Sequence, residues 1–177
     1  MNITPAGLNK KIRINGIKIS NELVQINLLN GSRAQDFRAL FFRLLAQNQI
    51  NSPFILATGM GEKIQGSCCV AAEDIKRTKQ LVAMEPELKE NIKFISSVGA
   101  LSMFPHYSNL KLLGLSFYLF GEARLPVYGM ASSISSLTFI TDYPQLDNAI
   151  SILLEYVDLP PNHAPFRPEI KIIQQKR

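Results

Sequence analysis

Twice along this chain the spacing of apolar residues switches between every second position and every third or fourth, and both times in one order: strand, helix, strand, strand, helix, strand. Two stretches of about 75 residues that share this order read most simply as an internal duplication. Each copy then needs one sheet and two helices to cover it.

The first copy opens with IRINGIKIS, in which Ile12 and Ile14, then Ile17 and Ile19, alternate about Asn15-Gly16. It reads either as a hairpin with a tight Asn-Gly turn or as one strand that bulges at the glycine. ELVQINLL follows, with Leu23, Gln25, Asn27 and Leu29 on one parity and Val24, Ile26 and Leu28 on the other. From Asp36 the residues Phe37, Leu40, Phe41, Leu44 and Leu45 form the stripe of a helix packed on a core, with Arg33, Arg38 and Arg43 near the opposite face. FILATGM and IQGSCCVAA flank the turn MGEK and predict a hairpin. Glu73 and Asp74 then start a shorter helix through Ile75, Thr78 and Val82, where carboxylates suit the positive end of the dipole. A strand is expected at IKFISSV.

In the second copy VGALSMF reads as extended and PHYSN as a turn with Ser108 as N-cap. Leu110, Leu113, Phe117 and Phe120 mark a helix that ends before Pro126. VYGMASS and LTFIT make two further strands. Tyr143-Pro144 begins a helix with Leu146, Ile150, Leu153 and Val157 on one side, proline being at home in a first turn. Pro160, Pro161, Pro165 and Pro168 break regular structure after that, leaving a linker or arm in which EIKII can add one edge strand. The expected units are residues 1–90, including the extra N-terminal strand, and 91–158, with a proline-rich arm over 159–177.

Composition narrows the function. With 46% hydrophobic and 19% charged residues the chain can bury a core, and no apolar run reaches the roughly 18 residues that a membrane-spanning helix needs. A soluble, cytoplasmic protein is expected. The formal charge of +5 is concentrated at the ends, +4 over residues 1–20 and +2 over 158–177, so the body carries −1. A nucleic-acid binder needs a basic folded face, ideally with interleaved aromatic residues, and neither is visible.

Catalytic readings find little to hold. His106 in a turn and His163 in the arm are the two histidines, and neither stands where it would activate a serine. Cys68-Cys69 lacks the spacer of a chelating pair, so no metal or other cofactor is expected. TGMGEK has glycines and a lysine but not the spacing of a phosphate loop. What remains is binding at the turns into the first helix of each copy, Asn30 to Asp36 and Phe104 to Asn109. Unpaired N–H groups at those helix starts attract a carboxylate.

Several runs resemble the tandem ACT domains of the regulatory half of aspartate kinases. MASSISSLTFITD is similar to the family's strand, turn, strand segment, with Ser132 and Ser133 at its Ser/Thr-Ser pair. LLAQNQINSPFILATG resembles the helix end before the second strand, with Ile50 and Asn51 matching, and GIKISNELVQINLLNG resembles the extra leading strand. The likeness spans residues 12–157. It implies an α+β chain of two ferredoxin-like βαββαβ (ACT-like) units packed side by side in a continuous sheet, usually as a homodimer. It also implies an amino-acid effector between the first loop of one unit and the second strand of its neighbour. Carried over by position, the loop is Asn30, Gly31, Ser32, Arg33, Ala34, Gln35 and Asp36, and the strand is Met130, Ala131, Ser132 and Ser133. The family's Pro-Gly pair falls on Gln35-Asp36 in the first unit and near Leu110-Lys111 in the second. The expectation is a stand-alone, non-catalytic regulatory module that binds an amino acid. The alternative is a ligand-free assembly subunit that binds a partner enzyme of amino-acid metabolism, and the replaced Pro-Gly pairs favour it.

Overall fold

The computed structural model describes residues 11–29, 34–60, 63–105 and 110–167, with backbone alone for 34–36, 58–60 and 63–65. In chain order the elements are β1 (Ile12–Arg13), β2 (Gly16–Ile19), β3 (Leu23–Leu28), α1 (Ala34–Gln47), β4 (Phe54–Met60), β5 (Lys63–Ala71), α2 (Ile75–Met84) and α3 (Pro86–Asn91). There follow β6 (Ile92–Phe104), α4 (Leu110–Glu122), β7 (Gly129–Ser132), β8 (Leu137–Asp142), α5 (Leu146–Leu154) and β9 (Val157–Asp158). Short 3-10 turns at Ala72–Asp74 and Tyr143–Gln145 lead into α2 and α5.

Seven strands form one sheet in the order β4-β5-β3-β6-β8-β7, with β2 also on β6. The hinge of this arrangement is β6, which serves both units. Its first half pairs with β3, Ile92 opposite Leu28, and its second half pairs with β8, Met103 opposite Leu137. The handover lies at Ser97, a non-glycine residue with φ of 55°, beside a register shift between Leu23 and Gln25. An inserted residue of this kind bends a strand and strengthens its twist. IKFISSV and VGALSMF are therefore one strand rather than two.

The N-terminal segment is neither a hairpin nor one strand bulged at glycine. β1 runs parallel to β9, with Ile12 opposite Val157, whereas β2 runs antiparallel to β6, with Gly16 opposite Phe104. The extra strand thus lies against the second unit, whose sheet reads β2-β6-β8-β7, although the sequence reading grouped it with the first. Ile17 and Ile19 join the core beneath α4 and α5. Sequence alternation set the faces of this strand but carried no information on its partner.

Each unit covers one sheet face with its helices. Val24, Ile26 and Leu28 of β3 pack with Phe37, Phe41 and Leu45 of α1 and with Val82 of α2. In the second unit Leu101, Met103, Leu137 and Phe139 pack with Leu115, Leu119 and Phe120 of α4 and with Leu146, Ile150 and Leu153 of α5. Each such side chain contributes about 1.5–3 kcal/mol by leaving water. The faces without helices turn toward each other and hold a third cluster of Leu23, Phe54, Cys69, Val98 and Ile140. Gln25, 1% exposed, sits in this seam and donates to the Tyr128 carbonyl at 3.2 Å.

Three details differ from expectation. α3 is an element beyond those expected, and Pro86 and Glu87 open it as such residues usually do. Arg38 is 9% exposed and lies over the Phe37 ring, 5.4 Å from its centroid. In α4 the buried face runs through Leu112, Leu115 and Leu119, while Leu110 points outward and Phe117 lies at the rim of the core, 43% exposed and edge-on to Phe139 at 5.3 Å. The described part of the arm reaches Arg167. Its Phe166 N–H donates to the Ile17 carbonyl and its carbonyl accepts from Ile19, so the arm extends the edge of β2. EIKII lies outside the described residues.

Candidate functional site

The strand assigned to ligand contact is β7 with its following turn. Met130 packs against the second core and Ala131 against the cluster between the sheets, and both are half-buried. Ser132 and Ser133 are exposed. The Ser133 hydroxyl accepts from the N–H groups of Ser135 and Ser136, at 3.3 and 3.1 Å, and its own N–H donates to the Ser136 carbonyl at 2.8 Å. This is the arrangement by which a serine closes a turn. Ser132, opposite Leu137, is left as the exposed hydroxyl of the pair on the strand itself.

Of the loop, Asn30, Gly31, Ser32 and Arg33 lie outside the described residues, and Ala34, Gln35 and Asp36 form the first turn of α1. Leu29 donates to the Asn91 carbonyl at 2.7 Å, which fixes the start of the loop beside the first residue of β6. Ser132 lies beside Leu137, which opposes Met103 near the other end of β6. At about 3.3 Å per residue, roughly 35 Å of strand separates those levels. Leu28 and Ser132 thus stand at the levels of opposite ends of β6.

Next to the Ser133 turn the structure places residues that the sequence reading did not select. Lys18 of β2, Ser102, Phe104 and Pro105 at the end of β6, and Ser135 and Ser136 line an open cleft of about 380 Å³. Lys18 pairs with Ser102, and the Ser102 hydroxyl bonds Thr138 of β8 at 2.8 Å, so one polar row crosses three strands. The cleft offers one ammonium group, several hydroxyls and an aromatic wall, a set able to hold a small carboxylate with an apolar part. The alternation in IKIS and ALSMF contained the signal, because the residues between the buried Ile and Leu positions are Lys18, Ser20 and Ser102. His106, Ser108 and Asn109, from the turn that follows Pro105, lie outside the described residues.

Other reactive groups are engaged in packing or turned away. Cys68 and Cys69 are both 0% exposed, and burial pushes their thiols up to about 11 and about 12, the charge of Cys68 adding to the effect on Cys69. The Tyr128 hydroxyl donates to Asp142 at 2.8 Å, which with burial raises its pKa. The His163 Nδ1 lies 3.3 Å from the Pro161 carbonyl in the arm. Among the described residues no group of three metal-ligating side chains occurs, and no helix is long and apolar enough to cross a membrane.

No protein-family model matches the sequence, and no curated protein aligns with it. Solved structures do match the fold. The chain superposes on aspartokinase alpha and beta subunits with a TM-score of 0.70 at 16% identity, over 81% of this chain and 97% of that one. Against the ligand-free regulatory subunit of aspartate kinase from Thermus thermophilus the TM-score is 0.68, at 16% identity, over 81% and 97%. Against the regulatory subunit from Thermus flavus it is 0.69, at 16% identity, over 83% and 99%. The paired ferredoxin-like units of this chain are thus similar in fold to the regulatory subunits of aspartate kinase.

Proposed function

We propose that this chain is a non-catalytic regulatory module, a homodimer of tandem ACT-like units that binds a small amino acid. The observation that carries the reading is the sharing of β6 by two βαββαβ units in one sheet, in a chain whose likeness extends over nearly the full length of free-standing regulatory subunits. The effector sits at Met130, Ala131, Ser132 and Ser133 beside the cleft of Lys18 and Ser102, with Lys18 balancing its carboxylate. The loop Asn30 to Asp36 forms a second half-site at the far end of β6. Each half-site is completed by a second copy. Ligand binding then acts by favouring one arrangement of the paired units, to the extent of its differential affinity.

A thermal-shift screen against the twenty amino acids tests the reading. A ligand held by the native state alone raises the apparent stability, by about 2.7 kcal/mol when present at 100 times its Kd. One or a few amino acids should raise the Tm, and Lys18→Ala should remove the shift. If no amino acid moves the transition at millimolar concentration, the effector reading is wrong.

A further inference from the structure

The outward face of α4 is unlike that of the other helices among the described residues. Leu110, Gly114 and Gly121 face solvent, Leu110 being 78% exposed, and Phe117, 43% exposed, sets one ring edge on the buried Phe139 at 5.3 Å and leaves the rest of its ring outside. α1, which holds the same place in the first unit, presents Ala39, Arg43 and Gln47 outward. A helix that carries a second apolar stripe opposite its core face has a second surface to pack. The spacing of the four residues, 4-3-4, is that of a helix-packing seam. A Cβ added at Gly114 or Gly121 would meet nothing within 4 Å, so both positions are open notches. Each glycine also costs about 1 kcal/mol of helix stability relative to alanine.

The order of bulk and notch identifies the partner. A two-fold axis passing between Leu115 and Ser116 sets Leu110 against the partner's Gly121 and Phe117 against the partner's Gly114. The same rotation sets Gly114 against the partner's Phe117. A face that fits its own copy in this way is what an isologous contact requires, and a different partner would impose no such palindrome. Charge agrees. Lys111 stands in the first turn and Glu122 at the last residue, so antiparallel packing brings each beside its opposite, whereas parallel packing brings like charges together.

We infer that α4 is the centre of an antiparallel contact between two copies of this chain, Leu110 and Phe117 of each seated in the glycine notches of the other. The inference rests on the homodimer in the reading above but not on any effector.

The full-length chain tests it by sedimentation and by register-specific cross-linking. Because Cys68 and Cys69 are buried, the double variant Leu110→Cys/Gly121→Cys should form an intermolecular disulfide under mild oxidation. Leu110→Cys alone should not, since the two copies of position 110 lie about 16 Å apart along the antiparallel pair, beyond the reach of a disulfide. Gly114→Leu should weaken association about tenfold or more while leaving the monomer folded, because it fills a notch and improves the helix. A dimer that tolerates Gly114→Leu and forms no 110–121 bond overturns this contact alone. A wild-type chain that is monomeric at about 100 µM, far above the Kd of a specific dimer, overturns the homodimer as well.

Discussion

Leu146 rests directly on Gly99. A Cβ built at Gly99 would lie 2.6 Å from Leu146 Cδ1 and 3.2 Å from Tyr143 Cδ2. Leu146 is fully buried and begins α5, while Gly99 lies in β6 just past the handover between the units. The glycine therefore sets how closely α5 approaches the shared strand. Gly99→Ala should cost about 1–3 kcal/mol, the usual penalty of overpacking a core, read from the midpoint of a denaturant titration. In a cycle with Leu146→Ala the two losses should fall short of additivity by about 0.5 kcal/mol or more. Additive losses would mean that the contact has slack.

The legibility of this chain varied with how much its own pattern constrained each element. In α1 the residues Phe37, Phe41 and Leu45 are each 3% exposed or less, and charged and apolar positions alternate clearly enough to fix the phase of the helix. In α4 only Lys111 and Glu122 are charged, so the same spacing rule had no polar face against which to set its phase, and it selected Leu110 and Phe117. The handover at Ser97 was invisible for another reason: the inserted residue shifts the alternation by one, so that IKFISSV and VGALSMF read as two separate strands. Of the candidate site, Met130 to Ser133 were found through a likeness of short motifs. Lys18 joins that region only because β2 crosses from the N-terminus to pair with β6, a pairing of distant segments that no local pattern encodes.

Cys68 and Cys69 yield a prediction with a definite sign. Their ordinary value is 9.0, and burial raises the pair to about 11 and about 12. The native state therefore holds these protons more tightly than the unfolded chain does. The stability they contribute is complete below about pH 9 and is lost as the pH climbs toward 11 and 12. Alkaline denaturation should be less steep in Cys68→Ala/Cys69→Ala than in the parent. At pH 8 both thiols should resist a disulfide-exchange reagent until denaturant is added; fast labelling of the native protein would contradict their burial.

The arm is held at two neighbouring residues. The Phe166 ring meets Phe104 edge-on at a centroid distance of 6.1 Å. Arg167 donates to the Tyr143 hydroxyl at 2.9 Å, lies over the Tyr143 ring and reaches Asp147 at 3.8 Å. Phe166→Ala should cost about 1 kcal/mol, because it removes an aromatic pair from a half-exposed site. Arg167→Ala should cost less, since exposed ion pairs contribute little. Limited proteolysis should cut the arm faster in Phe166→Ala than in Arg167→Ala, and equal rates would show that the backbone bonds to Ile17 and Ile19 hold the arm alone.

Ser132 and Ser133 look equivalent in sequence, yet the structure gives them different tasks, and this separates folding from recognition. Ser133 supplies the oxygen that closes the turn between β7 and β8 by accepting from two main-chain N–H groups. Its replacement by alanine leaves those donors to water in an exposed turn, so Ser133→Ala should lower stability by about 0.5–1.5 kcal/mol whether or not an amino acid is present. Ser132 stands exposed on the strand beside the Lys18 cleft. Ser132→Ala should leave the Tm of the free protein within about 0.5 kcal/mol of the parent in stability and reduce the shift produced by the effector. Cys68→Ala, made in the buried face of the first unit, should do the reverse, lowering the Tm and leaving the shift intact. If Ser132→Ala and Cys68→Ala change the shift equally, the ligand does not sit at β7.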